Sequence, residues 1–217
     1  MSTPENRPFS WYDAIGFLVL AGSNTSDSPI RAQVITRAAT DGGIAYISLA
    51  EDGGDAFLED MDDLGAPPGF MIDLYEDDPE TIEDGLSEAG IVVIQAGERI
   101  DTLYAALRGK AIGLLRSALE RGAFIFVEGD AIQIFGTWFV SDEGQLRDGF
   151  DWVHNSLIIP DSQNPEMIQA LLMNIPKAIG LTIGQASALV LTYDQTMELW
   201  GNRDVKISFG SQFDTED

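Results

Sequence analysis

The sequence contains no cysteine in its 217 residues. Disulfides, thiolate metal sites, iron–sulfur clusters and cysteine nucleophiles are therefore excluded. Histidine is almost absent too, because His154 is the single one. Any mechanism that needs a histidine base has this one candidate.

Basic residues are scarce: 12 lysines and arginines stand against 36 acidic residues, and the formal net charge is −24. A surface of this sign repels phosphate backbones and anionic lipids, so we expect no nucleic-acid and no membrane partner. No apolar run approaches the roughly 20 residues of a membrane helix. The apolar stretch 14–22 lacks a signal-peptide cleavage pattern, which makes a cytoplasmic location the expectation. Glycine-rich nucleotide motifs are missing, so no cofactor is expected.

The chain does contain a regular alternation of apolar runs and helical patterns. Five near-continuous apolar runs are typical of parallel strands covered on both faces, at 16–21, 44–49, 70–73, 90–95 and 123–127. Helices are predicted between them at 29–39, 55–64, 79–89, 100–107 and 111–121, the first after an N-cap at Ser28. The alternation predicts a three-layer, doubly wound α/β domain with a mostly parallel, flavodoxin-like sheet.

The final third has a different pattern, in which short apolar runs are separated by turns. The run Gly201-Asn202-Arg203-Asp204 between apolar segments 197–200 and 205–209 is a hairpin signal, and it predicts a C-terminal β-hairpin extension. The ends carry few apolar residues. We therefore expect a flexible N-terminal segment over 1–14, a single domain over 15–209 and an acidic tail over 210–217.

The turns after the strands are the places to look for a site, because ligands of open α/β sheets bind beyond the carboxyl ends of the strands. Gly22 and Ser23 follow the first strand, and Gly97 and Glu98 follow the fourth; these four are the candidate ligand-binding residues. The turn Val127-Glu128-Gly129-Asp130-Ala131 has the form of a nucleophile elbow, in which a buried strand runs into a sharp turn and then a helix. Backbone N–H groups at such a helix start suit an oxyanion.

The order of these segments resembles that of the S51 serine peptidases, which include cyanophycinase and the aspartyl dipeptidases. Those proteins have a Gly-Gly-Asp/Asn motif after one strand, a Gly-Thr-Ser-Ala-Gly-Ala elbow after the next and then a histidine segment. The corresponding segments here are 92–98, 127–132 and 161–163, and 178–182 with 187–191 match the closing strands of the family. The likeness covers about residues 15–209 and rests on order and spacing. It implies a class I glutamine amidotransferase-like fold, and it implies that the chain forms a homodimer.

The chain departs from the S51 pattern at the positions that carry the reaction. Gly129 stands at the nucleophile position, Gln163 at the histidine position, and Thr182 near an acidic residue of the family. Glycine has no side chain to attack a carbonyl, and glutamine is no general base. We therefore predict a non-catalytic relative, a binding or assembly module for a protein or a small-peptide ligand.

An alternative places Asp130 at the elbow and makes the chain a hydrolase of small peptides or amides, with Glu128 and His154 in the rebuilt site. The structural interpretation of the same residues is that Glu128 and Asp130 cap the elbow helix and that His154 has no catalytic role. An acidic cluster between residues 51 and 63 lacks the spacing of a calcium-binding loop. It is interpreted as a solvated helix face, and no metal is expected.

Overall fold

A computed structural model of the chain describes residues 9–23, 28–38, 42–49, 54–95, 99–160 and 165–212, and the structural statements below concern these residues. The first half alternates strands and helices: β1 (Phe17–Ala21), α1 (Pro29–Arg37), β2 (Ile44–Ser48), α2 (Gly54–Asp63), β3 (Gly69–Asp73), α3 (Pro79–Glu88), β4 (Ile91–Gln95), α4 (Ile100–Ala106), α5 (Ile112–Arg121) and β5 (Phe124–Glu128). The second half is mostly β-structure: β6 (Gly136–Val140), β7 (Leu146–Asp148), β8 (Val153–Pro160), α6 (Pro165–Asn174), β9 (Ile179–Ile183), β10 (Ser187–Leu191), β11 (Met197–Gly201) and β12 (Val205–Phe209).

The main sheet has the strand order β11-β10-β1-β5-β4-β2-β3. Strands β1 to β5 run parallel to one another. Strands β10 and β11 extend the sheet beyond β1, and β10 pairs antiparallel with both β1 and β11. The five apolar runs of the sequence correspond to β1 to β5, so the predicted parallel sheet is confirmed. Parallel strands buried on both faces need continuous apolar sequence, which is why the strands could be recognised from these apolar runs.

Helices cover both faces of the main sheet, as a doubly wound fold requires. On one face, α1 and α2 bury Ile30, Val34 and Met61 against a layer of strand residues that includes Val19 and Phe126. The alternate strand residues, such as Leu18 and Ile94, belong to the larger core on the other face. Successive strand side chains point to opposite faces, so each strand contributes to both cores.

A second sheet, with the order β12-β9-β8-β6-β7, was not expected from the sequence. In it, β8 runs parallel to β6 and β9, while β7 and β12 pair antiparallel at its two ends. Its inner residues, among them Val153, Ile158 and Leu181, join the larger core. The second sheet therefore packs on the main domain rather than forming a separate unit.

The C-terminal β-hairpin is present, but it lies one strand earlier than its predicted turn. Strands β10 and β11 pair antiparallel across the turn at 192–196. The run Gly201–Asp204 instead links β11 of the main sheet to β12 of the second sheet, which pairs with β9. Gly201 and Arg203 have φ values of 66° and 59°, so the run is a turn although its flanking strands do not pair.

The sequence predicts two separate helices at 100–107 and 111–121, and the structure differs at the segment between them. A π-helical turn at Leu107–Ala111 joins α4 to α5. The backbone therefore continues as a helical segment with a local widening of the hydrogen-bond pattern instead of a loop.

Residues 9–14, which the sequence assigns to a flexible N-terminal segment, pack against the domain. Trp11 is buried, forms a bridge with Val153 and donates its indole N–H to the carbonyl of Thr192 at 3.0 Å. The backbone N–H of Tyr12 donates to Trp152 at 2.8 Å. At the other end, Gly210 donates to Ala178 at 2.9 Å, so the start of the predicted acidic tail is hydrogen-bonded too.

Among the helices of the described residues, none combines the length and the apolar character needed to cross a bilayer.

Candidate functional site

The strand-to-helix turn after β5 has the backbone of an elbow. The residue after β5 is Gly129, whose φ of 69° lies in the left-handed region that glycine adopts at little cost. A 3-10 helix over Gly129–Phe135 follows directly, so the helix that the sequence predicts after the elbow turn begins at Gly129 itself. Among the described residues, a Cβ atom added at Gly129 would meet nothing within 4 Å. A side chain at this position would therefore point away from the described residues, as the nucleophile of an elbow points away from the sheet.

Strand register places the end of β1 beside the elbow. Ala21 of β1 lies opposite Glu128 of β5, so Gly22 and Ser23 continue past the same edge of the sheet. Gly22 is closely packed: a Cβ there would lie 2.2 Å from the carbonyl oxygen of Gly184. Ser23 is exposed, and its carbonyl accepts a hydrogen bond from Ala186 at 3.0 Å.

Three further sequence candidates, Gly97, Glu98 and Gln163 at the histidine position, lie outside the described residues. Gln95, the last residue of β4, lies opposite Glu128.

Glu128 does not cap the 3-10 helix, contrary to the structural interpretation made from the sequence. Its side chain makes no capping hydrogen bond and is buried, with 6% of its surface exposed. Its carboxylate forms a two-point ion pair with Arg31 of α1: Nη2 lies 2.8 Å from Oε1, and Nε lies 3.3 Å from Oε2. Such a fork-shaped pair is both strong and geometrically specific.

A chain of polar contacts extends from this ion pair in both directions. Gln95 donates its amide to Glu128 at 3.1 Å and accepts a hydrogen bond from the hydroxyl of Tyr46 at 2.7 Å. On the other side, Arg31 reaches Asp60 of α2 at 2.9 Å. The network ties β5, β4 and β2 to both helices on one face of the sheet, directly behind the elbow.

Arg31 was missed in the sequence, although a signal was present. It lies between Ile30 and Val34 on the buried face of α1, and it is itself only 5% exposed. An arginine on the buried face of a helix needs a charged partner, so the pattern predicts an ion pair but not its location. Its guanidinium also lies 4.4 Å from the ring centroid of Phe57.

Asp130, on the other side of Gly129, has the opposite environment. Its side chain is exposed, and within the described residues it has no hydrogen bond or ion pair. The protein atoms around it displace part of its water, and this desolvation raises the pKa of its carboxyl above the ordinary value. Of the two predicted helix caps, only Asp130 has a solvent-exposed side chain beside Gly129.

His154 is not brought together with the two elbow carboxylates. It lies near the start of β8, where its Nδ1 is 3.3 Å from Oδ2 of Asp151 and its backbone N–H donates to Ser10 at 2.9 Å. These are its contacts in the described part of the chain. The rebuilt site of Glu128, Asp130 and His154 is therefore not assembled as a hydrogen-bonded group.

The acidic cluster of α2 is only partly the solvated face that the sequence suggested. Glu59, Asp62 and Asp63 are exposed, whereas Asp60 is half-buried and paired with Arg31. Over the residues that the structure describes, no three potential metal-ligating side chains lie together.

A surface groove of about 500 Å³ lies away from these residues, between α1 and β11. Arg37 and Glu198 form an ion pair across it, and Trp200 lies beneath the Arg37 guanidinium, 5.4 Å from it. Three turn residues that the sequence indicated, Gly201, Asn202 and Arg203, line the groove, but none of its lining residues was a candidate site residue.

The comparisons with known proteins agree with this architecture. No protein-family model and no curated protein matches the sequence. A crystal structure of a peptidase from an acI-B1 Actinobacterium is 16% identical, with a TM-score of 0.71, and the match covers 91% of this chain and 96% of that one. A Listeria monocytogenes EGD-e structure described as a peptidase E protein is 13% identical, with a TM-score of 0.60, covering 90% of this chain and 99% of that one. The chain therefore has the α/β fold of these peptidase structures over nearly its whole length.

Proposed function

We propose that this protein is a non-catalytic relative of the S51 serine peptidases that uses the carboxyl edge of its main sheet to bind a protein segment or a small peptide. The observation that carries the proposal is the backbone at Gly129. The left-handed φ of 69° of a peptidase-like elbow is present, while the side chain that would attack a substrate is not.

The space in front of the elbow suits a ligand. A Cβ at Gly129 would meet none of the described residues within 4 Å, which leaves room among them where a nucleophile would lie. Backbone N–H groups at the start of the 3-10 helix, and the exposed Ser23 at the next strand end, offer donors there. An extended peptide presents carbonyl oxygens that fit such donors.

The charges near Gly129 do not form a catalytic pair. The carboxylate of Glu128 is engaged by Arg31 and turned toward α1. Within the described residues the carboxylate of Asp130 has no hydrogen-bond or ion-pair partner, and His154 contacts Asp151 instead. A carboxylate that attacked a peptide carbonyl would form a mixed anhydride and release the amine, and a base would be needed to activate the water that hydrolyses this anhydride.

A hydrolase built on Asp130 is the second candidate, and one observation favours it. The carboxyl is exposed at the elbow with a raised pKa, and raised carboxyl pKa values are common in general acids. Such an enzyme would lose activity when Asp130 becomes Asn.

The two candidates separate in one experiment on the purified protein with a panel of dipeptides. We expect no hydrolysis above the buffer rate, and amide NMR shifts on dipeptide addition that centre on residues 22–23 and 129–131. Asp148→Asn is the matched control for Asp130→Asn, since Asp148 is an exposed aspartate on β7. Hydrolysis that survives Asp148→Asn and disappears with Asp130→Asn would establish the hydrolase and reject the non-catalytic proposal. Absence of shifts for every dipeptide would reject peptide binding at this edge.

A further inference from the structure

The groove between α1 and β11 has an excess of positive charge in a strongly acidic protein. Its charged lining residues are Arg37, Arg203 and Glu198, so the arginines outnumber the acid, whereas the whole chain has 36 acidic and 12 basic residues. A surface with a net charge of −24 repels acidic ligands over most of its area. The groove is therefore a place where an acidic ligand meets cations instead.

The one acid of the groove is neutralised by its neighbours. The carboxylate of Glu198 accepts hydrogen bonds from the Arg37 guanidinium at 2.5 Å and from the indole N–H of Trp200 at 2.9 Å. Arg203 is different, because its side chain is exposed and has no ion pair or hydrogen bond in the described part of the chain. Arg203 is thus the cation that is available to a ligand.

The helical wall of the groove is one stripe of α1. Pro29, Gln33 and Arg37 line it, all three are exposed, and their spacing of four residues places them on one face of the helix. The amide of Gln33 lies between the ends of this stripe and can donate to a carboxylate or a peptide carbonyl.

The opposite wall includes the backbone edge of β11. Consecutive residues from 198 to 201 line the groove, although neighbouring side chains of a strand point to opposite faces, so the backbone itself forms part of the wall. Within the described residues β11 has one strand neighbour, β10. Its other edge therefore presents backbone N–H and C=O groups with which an extended segment can pair.

We propose that an acidic peptide in an extended conformation binds in this groove as a strand added to the edge of β11. On the α1 side of such a strand, the side chains would lie in the groove, where Arg37 and Arg203 favour carboxylates. On the other side they would lie beside Met197 and Leu199, which are 50% and 40% exposed and share one face of β11. The peptide that fits best alternates acidic and apolar residues.

An NMR titration of the isotope-labelled full chain tests the proposal with the acetylated and amidated peptide Glu-Val-Glu-Val-Glu. Salt at about 0.15 M largely screens charges farther than about 8 Å away. We expect amide shifts that centre on residues 33–37 and 197–203. Arg203→Gln should raise the dissociation constant about two- to fivefold, the range for an exposed ion pair. Arg108→Gln is the matched control, because Arg108 is exposed on the π-helical turn without an ion pair in the described residues.

Two comparison peptides separate the contribution of charge from that of strand pairing. Lys-Val-Lys-Val-Lys keeps the length and the spacing but reverses the charge. The acidic peptide with an N-methyl group on every residue keeps the charge but has no backbone donor for β11. Each should bind at least about tenfold more weakly than the parent peptide, because several hydrogen bonds or ion pairs are lost.

The outcomes are distinct for folded variants, which circular dichroism identifies. The proposal would be overturned if the acidic peptide shifted no amides at 197–203, or if either comparison peptide bound there as tightly. It would also be overturned if Arg108→Gln weakened binding as much as Arg203→Gln. Shifts confined to 22–23 and 129–131 would reject the groove while supporting peptide binding at the elbow, so the two proposals can fail separately.

Discussion

Replacing Arg31 by methionine tests the ion pair behind the elbow. Arg31 and Glu128 are 5% and 6% exposed. The substitution removes the guanidinium and leaves the Glu128 carboxylate buried, with the hydrogen bond from the Gln95 amide. Removing one partner of a buried ion pair costs about 3–5 kcal/mol of unfolding free energy, because the remaining buried charge loses the attraction of its counter-charge. For a chain of this size each kcal/mol shifts the melting temperature by about 2–4 °C, so we expect a fall of about 6–20 °C.

A double-mutant cycle separates the charge effect from lost packing. Glu128→Gln removes the negative charge and leaves Arg31 paired with Asp60, 2.9 Å away. In the double variant Arg31→Met/Glu128→Gln no buried charge is left unpaired, so it should be more stable than Arg31→Met alone by about 2 kcal/mol. Asp60→Asn is the control. The Asp60 side chain is 35% exposed, and we expect the loss to stay within about 1 kcal/mol.

Urea unfolding at equilibrium measures all four variants, with the midpoint and the slope fitted separately. The reasoning would be refuted by a cost below about 1 kcal/mol for Arg31→Met, since a buried carboxylate cannot lose its cation so cheaply. It would also be refuted if the loss of unfolding free energy in the double variant equalled the sum of the losses in the two single variants. Additivity would mean that the two side chains do not interact.

Two further predictions concern the residues around the elbow. Gly129→Ser should cost about 1–2 kcal/mol of unfolding free energy through its left-handed backbone alone, since a Cβ there meets none of the described residues within 4 Å. Gly22→Ala should cost more, because its Cβ would lie 2.2 Å from a backbone oxygen. Urea unfolding compares the two variants, and equal losses of stability would contradict the difference in packing. Asp130→Asn should stabilise the protein at pH 7. The pKa of Asp130 is raised in the fold, so its ionisation destabilises the native state above the unfolded pKa, and the gain should vanish near about pH 3, where both states are protonated. Unfolding curves at the two pH values test the sign, and a gain that persists at low pH would contradict it.

The main sheet was predictable from the sequence because its signal is local. Strands β1, β2, β4 and β5 are largely buried on both faces and therefore need continuous apolar runs, whereas β3, at the edge of the sheet, is mostly half-buried; in all five strands only the end residues differ from the predicted ranges. The N-cap at Ser28 was predictable for the same reason, and its hydroxyl accepts a hydrogen bond from Ile30 at 3.2 Å.

The second sheet was not predictable, because its pairing is not local and its strands are irregular. Strand β7 has three residues and is largely exposed, and the register of β6 with β8 shifts between Gly136 and Trp138. The predicted hairpin at Gly201–Asp204 failed for a related reason. Turn chemistry predicts that the chain reverses, but it does not determine whether the two flanking strands stay in one sheet.

One part of the candidate site could also be predicted from the sequence, and another part could not. The position of the elbow and its glycine could be predicted, because a buried strand followed by Gly129 is a local pattern. The environment of Glu128 could not, because Arg31 is 97 residues away in the chain and the ion pair exists only after α1 packs on the sheet. For this reason a helix cap was predicted where the structure has an ion pair.

The two acids beside Gly129 show why sequence proximity does not make a catalytic pair. They are separated by one residue, yet the carboxylate of Glu128 is buried against Arg31, while that of Asp130 is exposed and has no partner among the described residues. An acid–base pair needs both groups within reach of one substrate atom, with pKa values set for opposite roles. Glu128 could approach a substrate only by leaving its arginine, which would leave the Arg31 charge without its buried partner. Of the two acids beside Gly129, the one exposed to solvent is therefore Asp130, while Glu128 is held by Arg31.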